Sequence, residues 1–216
     1  MTAASLDDLR LELAPALAGA AVWDGWSEAA VRAAAEGSGI DPDAALYAFK
    51  DGPMAMIAAW IARVDVEMEA ALPPERLATM KIRERIRALV QFRLDAVEAN
   101  KEALRRALTI MAMPQNVPAA LKLGWRSADL MWRLAGDTAS DYNHYTKRTI
   151  LASIYGATLA VFVDDKSEDH AETRAFLGRR LDGVVKFEKV KAQLLNPDRE
   201  HFSPARFLGR LRYPAR

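Results

Sequence analysis

Apolar residues recur every three or four positions along most of the chain, which is the spacing of one face of an α-helix. The first such stripe consists of Leu6, Leu9, Leu13 and Leu17. Ser5 precedes the stripe as a typical N-cap, whereas Pro15 lies inside it and predicts a kink or a division into two pieces. No segment alternates apolar and polar residues long enough to predict a strand. The pattern therefore predicts an all-α fold of roughly eight to ten helices.

Prolines, glycines and capping side chains mark where the other helices begin and end. Ser27 caps the second helix, Asp41 with Pro42 opens the third, and Pro53 opens the fourth. The predicted helices beyond the first span residues 28–36, 42–50, 54–72, 75–99, 100–113, 118–135, 142–163 and 167–195. The chain divides into a head, a helical body and a tail, at residues 1–52, 53–196 and 197–216.

Charge is unevenly distributed, although the whole chain is near neutral. Residues 1–72 hold 12 acidic and 4 basic side chains, whereas residues 73–216 hold 17 acidic and 26 basic ones. Such asymmetry indicates different partners for the two parts. The chain has no cysteine, which excludes disulfides, thiolate metal ligands and a cysteine nucleophile.

The N-terminus and the longest apolar run indicate where in the cell the protein is found. The first residues are acidic and lack the basic start and long apolar core of a secretory signal. The longest apolar run, residues 150–163, is shorter than the ~20 residues that a membrane span needs. We interpret the run as a buried core helix. Together with the lack of cysteine, these features favour a cytoplasmic protein.

Few groups are arranged for catalysis or metal binding. The three histidines, His144, His170 and His201, are scattered, and the sequence has no Glu-x-x-His, nucleophile-elbow or glycine-rich phosphate motif. An acidic cluster lies where the last helix begins, at Asp164, Asp165, Glu168, Asp169 and Glu172. We interpret it as a first helical turn favoured by the helix dipole rather than as a cation site. Neither a metal nor a cofactor is predicted.

The first three predicted helices resemble the helix-turn-helix head of TetR-type regulators. That family has a Tyr and a Phe near the end of the recognition helix, before a turn and a long fourth helix; the matching residues here are Tyr47, Phe49, Lys50 and Gly52. The resemblance implies DNA binding, but in the candidate recognition helix only Lys50 is basic, and the acidic residues around it would repel phosphates. The acidic residues are Asp41, Asp43 and Asp51. We therefore predict a scaffold without a nucleic-acid partner, with a TetR-type regulator holding a small-molecule pocket as the alternative.

A polar turn at residues 135–141 leads into a helix that begins with aromatic and basic side chains. This segment resembles the ubiquinone-biosynthesis accessory lipid-binding family (the Coq-nine family), whose members carry Gly-Asp followed by an Asp-aromatic-Asn-aromatic-Tyr-Thr-Lys/Arg-Arg pattern. One departure is His144, where the family usually has Trp. The likeness, which spans roughly residues 6–190, rests mainly on Gly136, Asp137, Asp141, Tyr142, Asn143, Tyr145, Thr146, Lys147 and Arg148.

The resemblance implies a TetR-like helical bundle with a non-enzymatic role. Family members bind isoprenoid quinone intermediates or phospholipids, associate with membranes and present substrate to the demethoxyubiquinone hydroxylase. A lipid pocket needs flexible or aromatic apolar lining. Candidate lining residues are Met111, Met113, Trp125, Met131, Trp132, Leu151, Tyr155 and Phe162. The alternative for each is that it belongs to the packed core.

The resemblance also implies a surface for partners. It assigns the region of His144 to a patch that docks the hydroxylase, where aromatic side chains can serve as anchors. The predicted docking residues are Asp141, Tyr142, Asn143, His144, Tyr145 and Arg148. On paper, Arg148 and Lys147 beside Asp141 are equally a surface ion-pair network of little energetic value. TetR-like folds pair their last two long helices, so a homodimer through residues 150–163 and 171–190 is expected.

The tail combines basic and apolar residues with helical spacing. Phe207, Leu208 and Leu211 share one face, whereas Arg206 and Arg210 point away. Together with Phe202, these residues predict a short amphipathic segment that binds an anionic membrane surface. The expected location is therefore peripheral, at the inner face of the membrane. The alternative is a terminus that is disordered or packs back on the body.

Overall fold

The computed structural model describes the backbone of residues 5–138 and 142–194, and the side chains of residues 5–138 and 144–184. Within those ranges the fold is all-α, as predicted. The α-helices are α1 (Leu6–Asp24), α2 (Glu28–Ser38), α3 (Pro42–Ala48), α4 (Pro53–Ala71), α5 (Pro74–Leu77), α6 (Ile82–Val97), α7 (Lys101–Met111), α8 (Val117–Leu134), α9 (Tyr142–Asp164) and α10 (Ala171–Leu194). Short 3-10 turns lie at Glu98–Asn100, Pro114–Asn116 and Glu168–His170.

The head is built from α1, α2 and α3, which begin at the predicted caps. The Ser5 hydroxyl accepts a hydrogen bond from the Asp8 amide, and the Asp8 carboxylate accepts one from the Ser5 amide. The Ser27 hydroxyl caps α2 by accepting a hydrogen bond from the Ala30 amide, and the Asp41 carboxylate caps α3. Pro15 lies inside the single helix α1, so the two-piece alternative is wrong. Buried residues on both sides of it, such as Leu13 and Leu17, hold the helix together.

One predicted helix is divided in the structure. Residues 75–99 form α5, a turn, and α6, because Arg85 binds the carbonyl groups that the turn leaves without helical partners. Its guanidinium donates to the carbonyls of Ala78 and Met80, each at 2.9 Å, and to that of Ala135 at 2.8 Å. Ile82, which the periodicity places on the inner face, stands at the start of α6 and is 48% exposed.

The chain separates into two compact units at Gly178. The first unit contains α1 to α9 and the beginning of α10; the described part of the second is the rest of α10. In the first unit, α1 packs on α2 and α4, and α8 packs on α9. Trp26 ties the head to the body, because its indole nitrogen donates to the Ala103 carbonyl at 3.0 Å and its ring lies 5.4 Å from that of Trp60. Of the helices that the structure describes, none is long and apolar enough to cross a membrane.

Candidate functional site

A cavity of about 530 Å³ lies inside the first unit, between α4, α6, α7, α8 and α9. This volume is in the range of small-molecule sites. Its walls are mainly aliphatic and aromatic. The apolar lining consists of Ile57, Trp60, Ile61, Val64, Val97, Leu104, Ala107, Leu108, Met111, Val117, Leu121, Leu123, Trp125 and Leu159. Such a lining suits a hydrocarbon ligand.

Small residues on α8 and α9 create the space. Ala120 and Gly124 lie four positions apart on α8, and Ala152 and Gly156 do so on α9, so each pair shares one helix face. All four line the cavity. A Cβ atom added at Gly124 or Gly156 would meet no atom within 4 Å. The helices therefore leave a gap where longer side chains would interlock.

The cavity reaches the surface beside the N-terminal half of α8. Leu121 lines the cavity and is nevertheless 69% exposed, and the lining residue Val117 is exposed as well. On α9, the lining residues Ser153 and Gly156 are also exposed. We call Val117 and Leu121 the rim of the cavity. An apolar rim of this kind gives a hydrocarbon chain a route between the interior and the outside.

One charged side chain forms part of the wall. Arg93 on α6 is 1% exposed, and its guanidinium donates to the Tyr155 hydroxyl at 3.0 Å, to the Ser127 hydroxyl at 3.0 Å and to the Asp65 carboxylate. Burial opposes the charge of Arg93, but Tyr155 and Asp65 outweigh it and raise the pKa above its ordinary value. Arg93, Ser127 and Tyr155 all line the cavity. We call these three residues the polar wall.

Three of the eight predicted lining residues, Met111, Trp125 and Tyr155, line the cavity. The other five lie elsewhere. Met113 is exposed, and the Trp132 indole is held by the Lys147 carbonyl at 3.0 Å. The remaining three belong to the packed core, which is the alternative predicted for each candidate: Met131, Leu151 and Phe162.

Two of the three residues of the polar wall, Arg93 and Ser127, are absent from the sequence-based prediction, although the sequence contains a signal for Arg93. Arg93 continues the inner stripe of α6, which includes Ile86, Val90 and Val97. A charged residue on a buried helix face needs a compensating partner, so it marks a polar site inside the core. The small residues of α8 and α9 carry no comparable signal, because Ala and Gly are ordinary on packed helix faces.

The predicted docking patch is divided between surface and interior. Tyr145 is 62% exposed, and its ring centroid lies 6.0 Å from that of Trp125 and 5.1 Å from that of His144. Since Trp125 also lines the cavity, this aromatic group adjoins the candidate site. Asp141 lies outside the described residues, as do the side chains of Tyr142 and Asn143.

Arg148, by contrast, is only 2% exposed, so its prediction as part of a surface patch or surface ion-pair network is wrong. Its guanidinium binds Asp129 at 2.6 Å and Asp137 at 3.1 Å, and Asp137 binds Lys147 at 2.6 Å. Burial opposes the charge on Asp137, but hydrogen bonds from Lys147 and Arg148 lower its pKa below the ordinary value. We call these four residues the ionic cluster. It fixes the start of α9, and with it His144 and Tyr145, against α8.

Gly136 makes the turn before α9 possible. Its φ of +88° lies in the region that favours glycine, and a Cβ atom there would lie 3.1 Å from the Arg85 guanidinium. The same guanidinium binds the Ala135 carbonyl. The Gly-Asp pair of the motif therefore has a physical basis: Gly136 turns the chain, and Asp137 enters the ionic cluster.

The acidic cluster before α10 acts as a helix start. Asp165 is buried and accepts hydrogen bonds from the amide and hydroxyl of Ser167 and from those of Thr173. Burial opposes its charge, but these hydrogen bonds lower its pKa below the ordinary value. Across residues 5–138 and 144–184, no group of His, Asp and Glu side chains is arranged to hold a metal ion.

The remaining predictions concern the tail and the dimer. The predicted membrane residues Phe202, Arg206, Phe207, Leu208, Arg210 and Leu211 lie outside the described residues. The dimer prediction stays a prediction, but the large apolar side chains of α9 are already buried within one chain. They include Leu151, Ile154, Leu159 and Phe162.

Comparison with known proteins gives a family model that matches part of the chain and a solved structure of similar fold. Residues 117–188 match the family model of COQ9. The chain is similar to the ubiquinone biosynthesis protein COQ9, mitochondrial, of Rattus norvegicus and Homo sapiens, with 31% identity over 177 residues in each case. These alignments cover 79% of the chain and 56% or 55% of the relative, so the chain spans about half the length of the curated relatives it matches.

The fold is similar to that of a TetR transcriptional regulator from Nitrosomonas europaea ATCC 19718, known from a crystal structure. The TM-score is 0.66 at 20% sequence identity, and the match covers 82% of this chain and 98% of the regulator. The predicted TetR-like fold is thereby confirmed. At this identity the likeness concerns the fold alone.

Proposed function

We propose that this chain, whose residues 117–188 match the COQ9 family model, is a non-enzymatic lipid-binding accessory protein in ubiquinone biosynthesis. In this proposal it takes up an isoprenoid quinone intermediate or a phospholipid and presents the quinone to the demethoxyubiquinone hydroxylase at a membrane surface. The names of its relatives, which associate those proteins with ubiquinone biosynthesis, support the pathway. Those names also describe the relatives as mitochondrial; for this chain we propose a cytoplasmic location, peripheral at the inner face of the membrane.

The cavity carries the lipid-binding part of the proposal. Its volume of about 530 Å³, apolar walls and apolar rim match what an isoprenoid chain requires. The charged residue of the polar wall, Arg93, holds its charge at all ordinary pH values and so cannot exchange protons as a general acid or base.

The aromatic group of Trp125, His144 and Tyr145 supports docking beside the cavity. Trp125 belongs both to this group and to the cavity wall. A partner bound over Tyr145 would therefore lie next to the site that holds the lipid. We propose that the hydroxylase docks here and that the tail brings the complex to the membrane.

Tyr145→Ala is expected to weaken hydroxylase binding by about tenfold or more, because truncation of a tyrosine that anchors an interface costs about 2 kcal/mol or more. The fold should be intact, since Tyr145 is 62% exposed. Isothermal calorimetry with the purified hydroxylase measures the change. Tyr47→Ala is a matched control, because Tyr47 is an equally exposed tyrosine on α3 of the head. Equal affinities for all three proteins would remove this patch from the proposal.

The helix-turn-helix-like head is proposed to be a scaffold without a nucleic-acid partner. Asp41, Asp43 and Asp51 are exposed around α3. The basic side chains there already have partners: Arg32 lies 3.9 Å from Asp43, Arg10 lies 3.8 Å from Asp51, and Lys50 lies 4.7 Å from the Tyr47 ring in a cation–π contact. A surface of this charge repels phosphates. Specific binding of the upstream genomic DNA in a gel-shift assay would instead support the TetR-type regulator.

A deletion strain tests the proposed pathway role. Cells that lack this gene are expected to accumulate quinone precursors that have not passed the hydroxylase step, because substrate delivery fails. Quinone extraction and mass spectrometry measure the precursors, and re-expression of the wild-type chain should restore the product. Normal ubiquinone content in the deletion strain would contradict the proposed role.

A further inference from the structure

Exposed apolar side chains gather where α7 ends and α8 begins. We call residues 112–122 the corner; within it Met113 is 41% exposed, Val117 39% and Leu121 69%. Leu6 on α1 and Val66 on α4, which are exposed to a similar degree, belong to separate helices. Single exposed apolar residues are ordinary, whereas a group of them marks a binding surface.

The charge around the corner has one sign. The sequence has no acidic residue between Glu102 and Asp129, whereas Lys122 and Arg126 on α8 are both exposed. These two basic residues lie four positions apart and so share one helix face, beside the exposed Leu121. The first half of α8 thus has an apolar stripe next to a basic one. Helices of this pattern lie in the interface of anionic membranes.

The polar groups of the corner are largely satisfied within it. Pro114 and Pro118 have no amide proton to leave unpaired. The Asn116 backbone amide donates to the Met113 carbonyl, and the Asn116 side chain donates to the Ile110 carbonyl, each at 2.8 Å. Unpaired backbone donors and acceptors oppose entry into hydrocarbon. A turn with these bonds can therefore enter the boundary of a bilayer at little cost.

A bilayer fits the corner better than a protein surface does. Protein interfaces carry about one hydrogen bond per 100–200 Å², and a corner of apolar side chains with satisfied polar groups offers few. In a two-fold dimer the same patch faces itself, which would bring Lys122 and Arg126 of both chains together. Like charges repel there, whereas anionic head groups attract both residues.

We propose that the corner inserts into the interface of an anionic bilayer, with Met113, Val117 and Leu121 among the acyl chains and Lys122 and Arg126 at the phosphates. This inference rests on the membrane part of the proposed function and deepens it, because it adds a contact made by the folded body to the one proposed for the tail. The insertion is shallow, since none of the described helices can cross a membrane.

Insertion at the corner fixes how the first unit faces the membrane. The rim, Val117 and Leu121, would turn the mouth of the cavity toward the acyl chains. Trp125 follows Leu121 by one helical turn, about 6 Å along α8, and its ring contacts that of Tyr145. The aromatic group would then lie at the level of the head groups, where aromatic rings are favoured. A partner docked over Tyr145 would be held against the same membrane.

The lack of cysteine permits a direct measurement of depth on the full chain. Leu121→Cys carries a nitroxide label, and Val66→Cys, at a similarly exposed apolar position on α4, is the control. On vesicles of phosphatidylcholine and phosphatidylglycerol, the label at 121 should move about 5–10 Å into the boundary between head groups and acyl chains. Electron paramagnetic resonance should show it shielded from a water-soluble nickel complex, whereas the label at 66 should be accessible.

Two outcomes of that measurement would overturn the inference. If both labels are equally accessible on the vesicle-bound chain, the corner does not insert, and the membrane part of the proposed function depends on the tail alone. If the label at 121 is already shielded without vesicles, a second copy covers the corner. A wild-type chain that binds no vesicles at all would remove the membrane part of the proposed function as well.

A pair of substitutions tests the apolar stripe. Val117→Glu with Leu121→Glu is expected to weaken vesicle binding by about tenfold or more, because two apolar side chains leave the bilayer and two carboxylates meet its anionic surface. Leu6→Glu with Val66→Glu adds the same charge at other exposed apolar positions and is the control. Vesicle sedimentation measures both. Equal weakening by the two pairs would overturn the inference.

A second pair tests the basic stripe. Lys122→Ala with Arg126→Ala should weaken binding to the mixed vesicles by about tenfold and leave binding to pure phosphatidylcholine unchanged. Lys50→Ala with Lys166→Ala removes two other exposed cations and should have a much smaller effect. Losses of equal size would show that net charge, rather than the corner, determines binding, and would contradict the inference.

Discussion

Replacing both Gly124 and Gly156 by leucine is expected to weaken isoprenoid binding by about a hundredfold or more. Both glycines line the cavity, and a Cβ atom at either would enter open space. The two leucine side chains would therefore occupy the volume of at least three or four methylene groups of the ligand, each worth about 0.8 kcal/mol when buried. Fluorescence titration with a dansylated isoprenoid measures the loss.

The alanine variants of the same two glycines provide the control. Each Gly→Ala change within a helix interior favours the helix by about 1 kcal/mol and leaves most of the cavity open. Gly124→Ala with Gly156→Ala should thus raise the thermal midpoint and retain binding. A leucine variant that is folded and binds the isoprenoid like the wild-type protein would show that the ligand does not occupy this cavity.

Arg148→Met is expected to lower the free energy of unfolding by about 3–5 kcal/mol, because it removes the buried one of the two cations in the ionic cluster. The substitution leaves the Asp137 carboxylate, itself 5% exposed, with Lys147 alone. Asp129 loses its 2.6 Å partner as well. Urea denaturation followed by circular dichroism measures the change.

Arg105→Met is the matched control for that experiment. Arg105 forms a comparably short ion pair, 2.7 Å from Asp164, but both side chains are largely exposed. Exposed pairs contribute about 0–1 kcal/mol, so the control should remain close to the wild-type stability. Equal losses for the two variants would mean that burial does not increase the contribution of the ionic cluster to the free energy of unfolding.

Much of the fold could be predicted from the sequence because helix ends carry local chemistry. Ser5, Ser27 and Asp41 cap helices in the structure as their side chains predict. Pro53 opens α4, and its missing amide proton breaks no hydrogen bond because the first amides of a helix have no helical acceptor. These features depend on residues within one helical turn, so one sequence is sufficient to read them.

Features set by distant residues could not be read in this way. The break between α5 and α6 depends on Arg85, whose bond to the Ala135 carbonyl spans 50 positions. Helical spacing continues through residues 75–99 and contains no sign of that contact. The burial of Arg148 likewise depends on Asp129, which lies one helix earlier.

The lining of the candidate site likewise depends on residues that are distant in sequence, so it could be predicted only in part. Periodicity indicates which helix face is buried, but it does not separate packed side chains from those that border empty space. Trp125 and Met131 are both apolar residues of α8, yet only Trp125 lines the cavity. Trp125 lines the cavity together with Ala152 and Gly156 of α9, whose small size leaves space there.

Lipid extraction from the purified wild-type chain, followed by mass spectrometry, tests the central claim most directly. If the cavity between α8 and α9 holds a lipid, the extract should contain an isoprenoid quinone or a phospholipid in an amount close to that of the protein. The leucine variant of Gly124 and Gly156, purified in parallel, should contain little of it. Repeated preparations of the wild-type chain that contain no isoprenoid and no phospholipid would contradict the account.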